Sequence, residues 1–258
     1  MTRSRLFASC SVVFLIVPIV SLGQPRPGRT GEPIDVSPVV SIHELKIPEK
    51  ARAAYNKGAQ RVAISDWTGC IIEFQKAIKA WPDFYEAYYK IGIAHIQLQH
   101  NDDAEAAFRK SIELSEGKFA PSFFGLGLVL GNTKQYDDGV MYIRAGLDIQ
   151  PISPRGHFAL AWVLYSAQRV TEAEKSARES VLYDPNFAMA HLLLAQIHRH
   201  QNNVAAMIDD LDAYLRLAPD GPRSASIRAA RDEVRHKLDG DAAAAEKNNE
   251  IALDADVR

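Results

Sequence analysis

Apolar residues return at three- and four-residue intervals along most of this chain, as Phe158, Ala161 and Leu164 illustrate. Such spacing places them on one face of a helix and predicts a series of amphipathic α-helices. Polar pairs interrupt the pattern at Ser65-Asp66, Asn101-Asp102, Asp137-Asp138 and Asn202-Asn203. Because such side chains accept hydrogen bonds from the first N–H groups of a helix, we expect each pair to cap the helix that follows.

The paired helices recur with a period of 34 residues. Prolines end four of the units, at Pro82, Pro151, Pro185 and Pro219. They are separated by 69, 34 and 34 residues, and the first separation spans two units. Small residues recur with spacings of 34, 35, 34 and 34 at Gly58, Gly92, Gly127, Ala161 and Ala195. A proline cannot continue a helix, and a small residue lets two helices approach closely. A repeat of this length predicts a stack of helix–turn–helix units.

The repeat resembles the tetratricopeptide repeat. The agreement is fullest in the third unit, at Leu126, Gly127, Leu130, Gly139, Ile143, Gly146 and Pro151, and in the fourth, at Leu160, Ala161, Leu164, Ala173, Ala177, Ser180 and Pro185. The resemblance covers residues 51–219 and implies an all-α fold, a right-handed superhelical solenoid of helix–turn–helix repeats. Its five units fall at about 51–84, 85–119, 120–153, 154–187 and 188–221. We expect residues 222–239 to form a capping helix and residues 240–258 a polar tail.

The second and third units depart from the pattern. Glu116 stands where the second unit should carry its proline, and one extra residue follows within 117–121. The third unit holds five glycines, each of which costs about 1 kcal/mol relative to alanine inside a helix. Gly125 and Gly131 lie outside the positions where the repeat takes small residues. We therefore expect the third unit to be the weakest and to act as a hinge.

The N-terminal sequence predicts a targeting segment. Arg3 and Arg5 precede an apolar run over residues 6–20, and Ser21-Leu22-Gly23 offers small residues at a cleavage site. The run is shorter than the roughly 20 residues that span a bilayer, so a cleaved secretory signal over residues 1–23 is favoured over a retained anchor. Residues 24–48 contain five prolines and predict an extended linker. The expected location is the periplasm or cell envelope of a bacterium, or otherwise the medium.

Composition and motifs indicate binding rather than catalysis. A net charge of −2 gives no excess of positive charge of the kind that binds nucleic acid. Without the signal the chain keeps one cysteine, Cys70, at a position that favours packing over reactivity. No H-E-x-x-H, G-x-S-x-G, C-x-x-C or Walker motif is present, so we expect no enzyme activity and no cofactor. His191 and His198 share a helix face, but a metal site would need further ligands, and only His157 is a candidate.

The resemblance also implies a binding groove, lined by the first helix of each unit. The fifth repeat position carries Tyr55, Tyr89, Phe124, Phe158 and Leu192, and the ninth carries Leu128 and Trp162 in the third and fourth units. Gly131 would leave room for a ligand group beside Phe124 and Leu128. Tyr55 and Ala59 replace the Lys and Asn that clamp a peptide carboxylate in chaperone-binding members. The alternative is that this ladder packs between units.

The sequence thus predicts an exported, non-catalytic scaffold that binds a protein or peptide partner in this groove, without stable membrane insertion. The alternative function is a structural subunit of an envelope assembly or secretion machine. An enzyme with an unrecognised site is disfavoured.

Overall fold

A computed structural model describes residues 46–237, and within that range the chain is helical with no strand. The ten helices are α1 (Glu49–Ala63), α2 (Trp67–Ala80), α3 (Tyr85–Gln97), α4 (Asn101–Leu114), α5 (Ala120–Asn132), α6 (Tyr136–Ile149), α7 (Pro154–Ser166), α8 (Val170–Tyr183), α9 (Ala188–His200) and α10 (Val204–Leu217). Residues 224–237 are helical as well. The predicted all-α array of helix–turn–helix repeats is confirmed. The signal, most of the linker and the polar tail lie outside the described residues.

The turn inside each helix pair has the same backbone conformation. One residue per turn adopts a positive φ, and these residues are spaced by 34, 35, 34 and 34 positions at Ser65, Gln99, Lys134, Gln168 and Asn202. In the third unit, Gln135 N donates to Leu130 O at 2.8 Å and Lys134 N donates to Gly131 O at 3.1 Å. These two bonds form a Schellman motif, which satisfies the last carbonyl groups of the first helix. None of the five residues is glycine, so the usual sequence signal for this turn is missing.

The capping prediction holds at two of the four polar pairs. Asp66 accepts a hydrogen bond from Gly69 N at 2.8 Å, and Asn203 accepts one from Ala206 N at 3.3 Å. It is wrong for Asp137-Asp138, because Gln135 is the N-cap of α6 and makes no side-chain cap bond. Those two aspartates lie in the first helical turn, where negative charge favours the helix dipole. Asn101-Asp102 likewise lies inside the first turn of α4.

The junctions between pairs depend on proline. The residue before the repeat proline is extended in the first and fourth units, with φ and ψ of −150° and 97° at Trp81 and −144° and 92° at Asp184. Proline disfavours helical backbone in the residue before it, which ends the second helix there. The second unit lacks this proline, and Glu116 and Gly117 instead adopt positive φ values of 51° and 69°. This left-handed pair accommodates the extra residue that the sequence shows at that junction.

The chain divides into two compact bodies between Ala104 and Glu105. In the N-terminal body, α2 packs against both α1 and α3. Phe74 and Cys70 are fully buried there, and the ring of Phe74 lies against the backbone of Gly58. Cys70 Sγ donates to Trp67 O at 3.1 Å, and burial raises the pKa of the thiol to about 11. Cys70 is therefore a packing residue, as the sequence predicted.

In the C-terminal body each first helix packs against its own second helix and against the next first helix. Residues 224–237 cover the last pair. Ile227 packs on the cluster of Leu192, Tyr214 and Leu215, and Val234 packs on the cluster of Ala195, Met207 and Ile208. Arg231 adds an ion pair to Asp212 at 2.6 Å. This helix buries apolar side chains of the fifth pair that the repeats themselves leave uncovered.

The glycines of the third unit all serve helix packing. A Cβ atom on Gly125 would lie 2.5 Å from the ring of Phe108, which is fully buried, and one on Gly131 would lie 2.7 Å from Val163. The prediction that these two glycines lack a packing role is therefore wrong, and it was the basis for expecting a hinge. The space beside Gly131 is taken by Val163, so it is not room for a ligand group.

Gly127 and Gly139 mark the closest approach within a pair. A Cβ on Gly127 would lie 2.7 Å from the backbone oxygen of Gly139, and a Cβ on Gly139 would lie 2.8 Å from that of Gly127. A main-chain oxygen cannot rotate aside as a side chain can. Helices α5 and α6 can therefore keep this separation only with glycine at both positions.

Candidate partner-binding surface

The fifth-position residues of the C-terminal body are interior. Phe124, Phe158 and Leu192 are 7%, 3% and 5% exposed. The Phe124 ring lies against the backbone of Gly146 and Gly156. Phe158 meets Phe187 edge-on, with ring centroids 5.2 Å apart, and Leu192 packs in a cluster with Tyr214 and Leu215. In this body the fifth-position side chains are therefore core, packed mostly on their own repeat, while the contact of Phe124 with Gly156 crosses to the next repeat.

The fifth-position tyrosines of the N-terminal body are half-buried. Tyr55 stacks on Phe84 at a centroid distance of 4.9 Å and lies 5.3 Å from the Phe74 ring. Burial, with a smaller contribution from the charge of Glu86, raises the pKa of the Tyr55 hydroxyl, which stays protonated at neutral pH. The ring of Tyr89 lies 5.7 Å from Lys90 Nζ. These tyrosines keep part of their surface open, unlike the phenylalanines of the C-terminal body.

The ninth position provides the open surface of the C-terminal body. Leu128 on α5 and Trp162 on α7 are half-buried, whereas the residues on either side of Trp162 are buried. Tyr165, also on α7, donates to the backbone oxygen of Gln196 on α9 at 3.4 Å. The Tyr165 ring meets the ring of His200 edge-on at 6.3 Å. We call the patch formed by Trp162, Tyr165, Gln196 and His200 the α7–α9 surface.

Tyr165 was not among the residues that the sequence analysis singled out. It lies 34 residues after Gly131, at the same twelfth position of the repeat, where the sequence analysis considered Gly131 alone. The twelfth position therefore carried the signal. The position is used differently in two consecutive units. Gly131 leaves space that the side chain of Val163 fills, whereas Tyr165 extends to α9 and contacts the backbone there.

Histidines at the same repeat position connect consecutive helix pairs. His157 Nε2 lies 2.9 Å from Pro151 O, and His191 Nε2 lies 3.2 Å from Pro185 O, so the same contact recurs 34 residues later. The other ring nitrogen of His157 lies 3.0 Å from Glu179. Each histidine thus fastens the start of a first helix to the end of the preceding unit.

His191 and His198 face one carboxylate, which confirms that they share a helix face. Asp210 lies 3.3 Å from His191 Nδ1 and 2.8 Å from His198 Nδ1. On its other side, His198 Nε2 lies 3.6 Å from Glu174. His157 is not part of this group, since it pairs with Glu179. Sequence spacing did not reveal Asp210, because the helix pairing brings it to the histidines from α10.

The hydrogen bond to Asp210 is the main cause that raises the pKa of His191, and the contact with Pro185 O adds to it. Burial and Arg216 oppose the shift. The carboxylate of Asp210 thereby favours the protonated form of His191, the side chain that connects α9 to the preceding unit.

Within residues 46–237, no helix is both long enough and apolar enough to cross a membrane.

Family models of the tetratricopeptide repeat match two stretches of the chain, residues 85–118 and residues 158–222. These stretches contain the helix pair α3–α4 and most of the two pairs from α7 to α10. Both stretches are therefore similar in sequence to tetratricopeptide repeats. The helices outside the two matched stretches continue the 34-residue spacing of the turns.

Solved tetratricopeptide-repeat structures share the fold. The thermophilic TPR protein TTC0263 of Thermus thermophilus is 13% identical and superposes with a TM-score of 0.64, over 71% of this chain and 98% of that one. PilW, described as a widely conserved type IV pilus biogenesis factor, is 14% identical with a TM-score of 0.62, over 75% of this chain and 94% of its own. At these identities the likeness concerns the fold.

A curated human protein also matches in sequence. Protein O-mannosyl-transferase TMTC1 of Homo sapiens is 26% identical over 137 residues, which make up 53% of this chain. The matched stretch spans 15% of the length of TMTC1.

The raised pKa of His191 predicts a pH-dependent stability. Since the folded imidazole holds its proton more tightly than the unfolded one, the added stability is complete below the unfolded pKa of about 6.5 and is lost as pH rises through the higher folded pKa. We expect the melting temperature to fall between about pH 6 and pH 8 by more in the native protein than in His191→Gln. Thermal melts followed by circular dichroism measure this. His200→Gln, which changes an exposed histidine, is the control and should keep the native pH profile. Equal pH slopes for the native protein and His191→Gln would contradict the assignment.

Proposed function

We propose that this protein is an exported, non-catalytic scaffold that binds an apolar segment of a partner protein on the α7–α9 surface. Tetratricopeptide repeats support a role in protein–protein interaction, and the chain carries them in sequence and in fold. The observation that carries the proposal is that Trp162 keeps part of its surface exposed, between buried residues of its own helix and beside Tyr165.

The composition of this surface suits a protein partner. Tryptophan and tyrosine present large rigid faces at a low cost in conformational entropy, and each keeps a polar atom for a hydrogen bond. Here the polar atom of Tyr165 already contacts Gln196 O, which holds the ring in place. Leu128 adds apolar surface on α5, which packs against α7. The partner segment is therefore apolar, with Trp162 as the central anchor.

The buried fifth-position residues support this surface from beneath. Phe158 lies on the same helix as Trp162 and is held edge-on against Phe187. Truncation of a buried phenylalanine costs about 3–5 kcal/mol of stability, so Phe158→Ala and Phe124→Ala are expected to unfold or loosen the array. These two variants report on the core, whereas variants of Trp162 report on binding.

Export is proposed from the sequence of residues 1–23 alone. The expected product is a chain that begins at Gln24 or within a few residues of it. Mass spectrometry of the protein recovered from the cell envelope measures its N-terminus. An intact segment from Met1 to Gly23 on the exported protein would contradict cleavage and favour a retained anchor.

Binding is tested with Trp162→Ala. Loss of an aromatic anchor costs about 2 kcal/mol or more of binding free energy, which corresponds to roughly a thirtyfold weaker interaction. The immobilised variant and native protein are compared for the partners that they capture from envelope extract, with each bound protein quantified by mass spectrometry. The matched control is Leu182→Ala, which removes an exposed apolar side chain from the second helix of the same unit.

The proposal expects Trp162→Ala to lose partners that Leu182→Ala keeps, while both variants melt as the native protein does. Unchanged capture by Trp162→Ala would contradict it. Recovery of the native chain in a complex of fixed stoichiometry that Trp162→Ala leaves intact would favour the structural-subunit alternative.

A further inference from the structure

Two histidines and an aspartate converge at the turn between α3 and α4. His95 Nδ1 lies 3.7 Å from Asp103 Oδ2, and His100 Nδ1 lies 3.9 Å from the same oxygen. The two imidazole centroids are 5.8 Å apart. One ligand atom from each residue falls within 4.8 Å of the other two. Two imidazoles and a carboxylate in this arrangement make up a set of metal ligands.

The backbone of the turn fixes the positions of these residues. His100 N donates to His95 O at 2.9 Å, and Gln99 N donates to Ile96 O at 3.0 Å. Gln99 is the positive-φ residue of this Schellman turn. His95 is thereby placed opposite His100, where this motif usually makes an apolar contact. Asp103 lies in the first turn of α4, where the helix dipole favours the charged carboxylate.

The repeat fold does not require histidine at the positions of His95 and His100. The residues at the position of His95 in the other units are Arg61, Leu130, Leu164 and His198, and those at the position of His100 are Asp66, Gln135, Arg169 and Asn203. The first unit uses these two positions for an ion pair between Arg61 and Asp66. Of the five turns, the one in the second unit alone places histidine at both.

His95 has an unused ring nitrogen. Its Nδ1 is buried and has no hydrogen-bond partner among the described residues, since Asp103 is too distant to accept from it. A buried polar atom without a partner costs free energy that a bound ion would recover.

We propose that His95, His100 and Asp103 form a zinc site, with one nitrogen of each imidazole and one carboxylate oxygen as ligands. Imidazole nitrogen favours zinc over magnesium or calcium, which prefer ligand sets made of oxygen. Ligand atoms around a tetrahedral zinc lie about 3.4 Å apart, so the side chains must close by only a short distance. His100 and Asp103 are free to do so, because their side chains are 57% and 65% exposed. A fourth position remains for water or for a ligand from a partner.

The site is tested by titration of the full chain, free of affinity tags and stripped with a chelator, with zinc chloride in a calorimeter. We expect one site whose affinity falls at least about tenfold in His100→Gln and in Asp103→Asn, since loss of even an outer-shell partner typically costs that much. The matched control is His236→Gln, which changes an exposed histidine in residues 224–237 and should keep the native affinity.

A second measurement does not depend on substitution of His95. Zinc should shift the imidazole ¹⁵N resonance of His95 Nδ1 in the native chain, and the same shift in Asp103→Asn should need at least about tenfold more zinc. Zinc affinities of His100→Gln and Asp103→Asn equal to the native value would overturn the proposal. So would tighter binding of magnesium or calcium than of zinc, or loss of the zinc site in His198→Gln with His100→Gln unaffected.

Discussion

The close approach of the two helices in a repeat is the constraint on which the rest of this structure depends. In the third unit the main chains come so near that a Cβ on Gly127 would meet the carbonyl oxygen of Gly139. At that separation Ile143 also packs directly on the backbone of Gly127. A wider pair would leave cavities beneath buried side chains, which cost stability in proportion to their volume. Small residues at fixed repeat positions are thus the condition for the stack.

This close packing also decides which side chains reach the surface. A first helix is covered by its own second helix and by the neighbouring first helices, so its fifth position is enclosed in the C-terminal body. The ninth position lies about one turn further along and remains partly exposed at Leu128 and Trp162. The partner surface that we propose for this body therefore uses the ninth and twelfth positions, with Phe124 and Phe158 packed beneath it.

The fold could be predicted from the sequence because its determinants are local and periodic. The 34-residue spacing, the small residues and the prolines each appear in the linear pattern. What the pattern could not show was contact between helices. Gly125 and Gly131 have no packing role that the sequence alone could show. The side chains that fill the space beside them, Phe108 and Val163, lie on other helices. The burial of Phe124 and the pairing of His191 with Asp210 were hidden for the same reason.

The most direct test of the account is the free energy of unfolding of Gly127→Ala. Helix propensity alone favours the alanine by about 1 kcal/mol. The account predicts the opposite sign, a loss of about 1–3 kcal/mol, because the added methyl group has no space between Ile143 and the carbonyl of Gly139. Equilibrium urea denaturation followed by circular dichroism gives this difference. A variant more stable than the native protein would contradict the claim that close helix approach governs this fold.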